Sequence, residues 1–283
     1  WPGWGLNFRV NEDPGVSDHI TRVCTQKLEE YAGTDHLPWD ACVTADAIEG
    51  YHSEIYGLDY RREHWATTLL PLTFGKDSRA PALSNQIWDF HHKYWWPITN
   101  QYQVVVYGNS NGYHQVFTAP YVDIPMIEGM WDPDHWDRFE RYLRAISHHK
   151  IWRWWRVPGE RGGYDERNPE QVRRHFASGL AYGIYPCVGA MGALVEEHRA
   201  AFRQYVPAIE ELSLAGWEPV PYARTQAPVV IERYGSYADG ELHFTLRNYS
   251  DEAVEATVAL DLAGLGIPAG TPLVAADVLP GFV

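Results

Sequence analysis

Carboxylates that close apolar, β-rich runs are the residues of this chain best suited to chemistry. Asp46 ends ACVTAD and Glu49 follows it in DAIEGYH; Asp123 lies within APYVDIPMIEG, and Glu128 ends the apolar part of that run. A carboxylate beside an apolar strand loses solvation, which raises its pKa unless a cation or hydrogen bonds hold it ionised. Two carboxylates in unlike surroundings can therefore divide the roles of anion and acid. Glycosidic cleavage needs that division: one group stabilises or attacks the oxocarbenium-like centre, and the other protonates the leaving oxygen. The competing structural reading makes Asp46 a helix N-cap and Glu128 a loop carboxylate.

The segment from Asp40 to His64 is the densest polar and aromatic stretch of the chain. Its Arg61, Arg62 and His64 suit carboxylates or sugar hydroxyls, and a guanidinium fork grips a carboxylate with two bonds where an ammonium offers a point charge. A solvated helix start is the plainer reading. Aromatic residues are 14% of the chain, with 13 Trp and 18 Tyr. Many of the indoles, Trp4, Trp39, Trp65, Trp96, Trp131, Trp154 and Trp155 among them, sit beside polar, Gly or Pro residues. Most must fill core, but an indole face also stacks on a sugar ring while its N–H donates. Carbohydrate is the partner this composition suggests.

Composition bounds the rest. The 283 residues suffice for one large domain or a large and a small one. A formal charge of −14 repels a phosphate backbone, so no nucleic-acid partner is expected. Hydrophobic residues at 45% and charged ones at 21% are those of a packed domain. No apolar run approaches the roughly 18 to 20 residues of a membrane helix, so no membrane partner is expected. Cys24, Cys42 and Cys187 give neither a disulfide framework nor a CxxC pair, and they leave the compartment open.

The elements that must position these residues alternate along the chain. Six β-rich runs stand out: GLNFRV (5–10), ACVTAD (41–46), QVVVYGN (103–109), APYVDIPMI (119–127), KIWRWWRV (150–157) and GIYPC (183–187). Helical periodicity falls between or after them, over 17–31, 85–94, 134–147, 169–180 and 193–215. This βαβα order predicts a parallel sheet or barrel over residues 1–226. Residues 227–283 switch to period two with Asp-Gly and Ser-Asp turn signals, which predicts a small antiparallel domain, shorter than the roughly 100 residues of a typical sandwich. Six βα units against the eight of a complete (β/α)₈ barrel, and Trp1 in first position, lead us to expect that two units precede the chain, and the β domain is either small or cut short. Counting back from the β domain then makes ACVTAD the fourth strand and APYVDIPMI the sixth.

Other motifs compete. Gly108-Asn109-Ser110-Asn111-Gly112 matches the G-x-S-x-G elbow of serine hydrolases, but GYHQVFTAP follows where a helix is required. No P-loop, dinucleotide fingerprint or H-E-x-x-H occurs, so no cofactor and no metal are expected. His91-His92 and His148-His149 are adjacent, and adjacent side chains on a helix point apart.

Strand, DxxEGY, YRREH, an Asn at a strand end (YGN), VDxxxxE and a path through YGIYP to GWEPVPYAR before a β domain together resemble bacterial glycoside-hydrolase-like (β/α)₈ proteins. A carboxylate after strand four and another after strand six is similar to the α-galactosidase (melibiase) group. That resemblance implies Asp46 as nucleophile and Glu128 or Asp123 as acid/base, with Glu128 ahead by likeness to endo-acting α-N-acetylgalactosaminidases. Thr44-Ala45 before Asp46 departs from the group's Lys-Tyr/Trp-Asp strand motif, and no Cys pair brackets the site. Trp4, Glu49, Tyr51, Arg61, His64, Asn109, Trp154 and Tyr185 are then expected to line the sugar pocket. The alternatives are a barrel that binds carbohydrate without cleaving it and a serine hydrolase acting through Ser110.

Overall fold

Of the 283 residues, the computed structural model describes 16–32, 42–45, 62, 73–74, 81–82, 96–110, 119–129, 136–146, 148–156, 163–187, 195–250 and 252–279. The chain divides into two compact units, Trp1–Ile127 and Glu128–Val283.

In the first unit, helix α1 (Val16–Ala32) starts one residue before the expected Ser17. Its Leu28 packs with Ile98 and Val104. Strand β1 (Cys42–Ala45) is followed by a two-residue antiparallel ladder, β2 (Thr73–Phe74) with β3 (Pro81–Ala82). Helix α2 (Trp96–Tyr102) leads into β4 (Val105–Ser110) through Gln103, at φ +53°, with Val104 N donating to Thr99 O. A 3-10 turn (Ala119–Tyr121) precedes β5 (Ile124–Gly129). β4 pairs in parallel with β1, from Cys42–Val105 to Ala45–Gly108, and with β5, from Tyr107–Ile124 to Ser110–Ile127. The expected APYVDIPMI strand is thus shorter at its front. Asp123 stops it: its N–H donates to Val106 O and its carboxylate accepts from Val106 N at 2.8 Å, so the side chain takes a backbone donor that a ladder carbonyl would otherwise fill.

The second unit holds α3 (Trp136–Ile146), β6 (Trp152–Arg156), α4 (Pro169–Tyr182), β7 (Ile184–Cys187) and α5 (Val195–Ala215). β6 and β7 pair in parallel from Trp152–Ile184 to Trp155–Cys187. α4 carries its punctuation in the sequence. The Asn168 side chain accepts from Glu170 N and Gln171 N, Pro169 takes a first-turn place where no N–H is needed, and Gly183, at φ +59°, ends the helix in the left-handed form. Tyr164, Val172, Phe176, Tyr205 and Ile209 form a core between α4 and α5, with Phe176 edge-on to Phe202 at 5.1 Å.

Beyond α5 come β8 (Trp217–Glu218), β9 (Ala223–Arg224), β10 (Val229–Ser236), β11 (Glu241–Asn248) and β12 (Ala259–Leu260). β10 and β11 form the expected hairpin, in register from Val229–Asn248 to Ser236–Glu241. The antiparallel pairing also recruits residues ahead of Gln226, since β8 joins β10 and β9 joins β12. AVEATVALDL keeps only Ala259–Leu260 as strand, and the Asp261 side chain, accepting from Gly264 N, turns the chain directly after it. The fold is mixed α/β, with parallel strands linked through helices and separate antiparallel sheets. Among the described residues no helix is long and apolar enough to cross a membrane.

Candidate functional site

Parallel register brings the carboxyl ends of β1, β4 and β5 to one edge of the first unit's ladder. Asn109 and Ser110 are the last residues of β4, opposite Met126 and Ile127. Glu128 lies on β5 directly after Ile127. Asp123 is at the other end of that strand, ahead of Ile124, and its carboxylate is tied to Val106 N. The two acid candidates therefore belong to opposite strand ends. Trp4, Asp46, Glu49, Tyr51, Arg61 and His64 lie outside the described residues.

The structure does not place Trp154 and Tyr185 on one face. Trp154 pairs with Pro186 and is 3% exposed, whereas Tyr185 pairs with Arg153 and packs on the α4–α5 core. Strand period two separates them, because neighbours in the register share a face and successive residues alternate. The Tyr185 hydroxyl bonds to Ser213, and burial raises its pKa.

Sequence reasoning missed a buried polar seam where α3, the end of α4 and the hairpin meet. On α3, Glu140 and Arg144 stand one turn apart and are both buried. Glu140 accepts from the Ser178 hydroxyl. Arg144 donates to the carbonyls of Tyr182 (3.0 Å), Lys150 (3.0 Å) and Gly183 (2.7 Å). A cation there meets the orphan carbonyls and negative pole of α4. Burial lowers the guanidinium's pKa, a loss partly offset by Tyr234 and Glu232 nearby. Tyr234 donates to Ala181 O at 3.0 Å, and Thr245 Oγ1 donates to the same oxygen at 2.6 Å. Glu232 accepts from Trp217 Nε1 at 2.8 Å. Burial, above all, pushes the Tyr234 phenol far up, so it stays a donor. The one sequence signal for this seam is an Arg one turn after a Glu on the apolar side of WDRFERYLRAI, beside the fully buried Leu143.

No family model, no curated protein and no solved structure matches the chain. What these residues do must be read from their own chemistry.

Two further features of the second unit face solvent. A groove of about 2030 Å³ runs between α4, α5, β11 and residues 252–279, with Leu242, Phe244, Leu246 and Leu273 along it and Arg173 and Arg247 among its polar residues. The other is a corner where His148, His149 and Glu218 bring three ligand atoms within 4.8 Å of one another. The expectation that His148 and His149 point apart is overturned. They lie in a turn after α3 rather than on the helix, and His149 has φ +60°, which sets the two rings 3.9 Å apart.

Proposed function

We propose that the chain is a glycoside hydrolase acting on an oligo- or polysaccharide, its parallel strands forming part of a (β/α)₈ barrel. Asp46 is the nucleophile or stabilising anion and Glu128 the proton donor. The observation that carries this reading is the shared direction of β1, β4 and β5, whose carboxyl ends lie at one edge of a parallel ladder, each strand running two residues past its neighbour, with Ala45 opposite Gly108 and Ser110 opposite Ile127. The next residues along the chain after Ala45 and Ile127 are Asp46 and Glu128. In (β/α)₈ enzymes the carboxyl ends of the strands carry the chemistry, while the opposite ends serve stability. Asp123, tied to Val106 at the amino end of β5, fits the second role, which favours Glu128 as acid. Asn109 on the same edge then contacts sugar hydroxyls, together with Glu49, Tyr51, Arg61 and His64, and Trp4 supplies a stacking face.

The test is hydrolysis of a panel of aryl α- and β-glycosides by the full chain beside Asp46→Asn, Glu128→Gln and Asp123→Asn. A general acid typically contributes about 10²- to 10⁴-fold, so loss of that size is expected in the first two and not in the third. Activity indifferent to both Asp46 and Glu128 overturns the assignment. A folded chain inert on every glycoside yet retarded in polysaccharide gels makes it a binding barrel, and ester hydrolysis abolished by Ser110→Ala makes it a serine hydrolase.

A further inference from the structure

We propose that His148, His149 and Glu218 form a site for a divalent transition-metal ion of the zinc type. Two imidazole nitrogens and one carboxylate oxygen are the borderline donor set that zinc, cobalt, nickel and copper take, whereas calcium and magnesium prefer oxygen alone. The three ligand atoms already lie within 4.8 Å of one another, and His149 Nε2 is 3.7 Å from Glu218 Oε1. Bonds of about 2.0 to 2.2 Å in a tetrahedron set donor atoms roughly 3.4 Å apart, so closure needs movements of about 1 Å. The side chains have that freedom, since His149 is 54% exposed and Glu218 32%.

The surroundings favour convergence. The second carboxylate oxygen of Glu218 faces Arg233 Nη2 at 3.3 Å. Arg233 is itself buried and anchored, donating to Val220 O at 2.9 Å and Gly235 O at 2.8 Å. This outer partner turns Oε1 toward the histidines, the role that second ligands play around bound metals. His148 lies edge-on to Trp217 at 6.0 Å. Gly216, at φ +85°, leaves room for the second ring, because a Cβ built there would stand 3.2 Å from His149 Nε2. His149 itself holds a left-handed backbone that non-glycine residues seldom adopt, the kind of local strain that concentrates at functional positions. Three protein ligands leave a fourth position open to water or a small anion, and the ion joins the turn after α3 to β8.

Zinc and cobalt ions are the probes. The full chain, stripped with a chelator and dialysed, is titrated with zinc against a chromogenic chelator and, separately, with cobalt while its visible absorption is followed. One equivalent is expected, with the intense cobalt bands of a four-coordinate site. His148→Ala, His149→Asn and Glu218→Gln should each weaken binding by more than the ~10- to 100-fold that loss of an outer partner costs. Asn tolerates positive φ, so His149→Asn keeps the turn while removing the ligand. His243→Asn, at a separate His–Glu contact with Glu211, should bind like the unaltered chain. Zinc held equally by all three site variants, zinc lost in His243→Asn, or none taken up by the folded chain overturns the proposal.

Discussion

The second unit has two polar corners built from similar residue types and put to opposite use. At the seam, Arg144, Tyr234, Thr245 and Trp217 direct their donors to carbonyls or a carboxylate inside the protein. Where the turn after α3 meets β8, His148, His149 and Glu218 keep ligand atoms at the surface while Arg233 behind them makes the internal bonds. An internally satisfied group is worth more to the fold and less to a ligand, because unmaking its bonds in a dry interior costs the full desolvation of whatever is left. The metal corner separates the two duties: Arg233 anchors, and the side chains in front of it remain available.

The sharpest way to break this contrast is to remove one side chain from each corner. Arg144→Met strands the Tyr182 and Lys150 carbonyls, while Gly183 O keeps the Ser213 hydroxyl at 3.4 Å, and should lower stability by on the order of 4 kcal/mol in urea denaturation, at ~1 to 3 kcal/mol for each stranded group. His148→Ala, measured without metal, should stay within about 0.5 kcal/mol, as exposed positions do. Equal effects would mean that the seam is no more structural than the turn.

Two glycines refine the comparison. Gly235 is in β10 at φ +73°, where a methyl would collide with the Glu241 carbonyl, so Gly235→Ala combines backbone strain with overpacking for about 3 kcal/mol. Gly240, at φ +78°, has nothing within 4 Å of such a methyl, and its substitution should cost about 1 kcal/mol from strain alone. Thermal melts of the two variants measure the difference directly. If they melt together, contact with the opposing strand contributes nothing to the hairpin's seat.

The smallest expected effect is seen only in alkali. Burial, partly opposed by Arg173, pushes the Tyr205 phenol from 10 up to about 12. Below pH 10 it is protonated in folded and unfolded chains alike, so its share of stability is fully present. Above pH 10 the unfolded phenol ionises while the folded one keeps its proton, so stability falls until the folded group also titrates near 12. Tyr205→Phe should make the urea midpoint fall less steeply over that window. An unchanged slope would assign the alkaline loss to other groups, with Tyr234 the first to examine.

Local signals carried most of what the sequence made legible. The expected start of α4 at Pro169 holds, while its end runs two residues past the expected Leu180 to the Gly183 cap, and the runs that became β1, β4, β6 and β7 stand where their β-branched and aromatic residues put them. The misses are places where a side chain's partner lies far along the chain. Asp123 shortens β5 by bonding to Val106, seventeen positions earlier. Nothing near Glu140 in sequence points to Ser178, and nothing near Tyr234 points to Ala181. Helix α2 lies outside the expected helices, and its Pro97 falls in the first turn, where proline is tolerated. His148 and His149 were misjudged for a related reason: a positive φ on a non-glycine residue leaves no trace in the residue types. Of the proposed carboxylate pair, Asp46 lies outside the described residues, while the sequence already ranks Glu128 ahead of Asp123 by resemblance and the bond of Asp123 to Val106 adds a separate reason for the same order.

The Ala181 carbonyl accepts from two hydroxyls, one 53 and the other 64 positions downstream. Both bonds close long stretches of chain onto the last turn of a helix, and chain entropy opposes such closures until the contacts they bring together can repay it. The hairpin therefore gains its seat only after that turn exists. This couples helix and hairpin, so their backbone amides should exchange with solvent together in a hydrogen-exchange measurement.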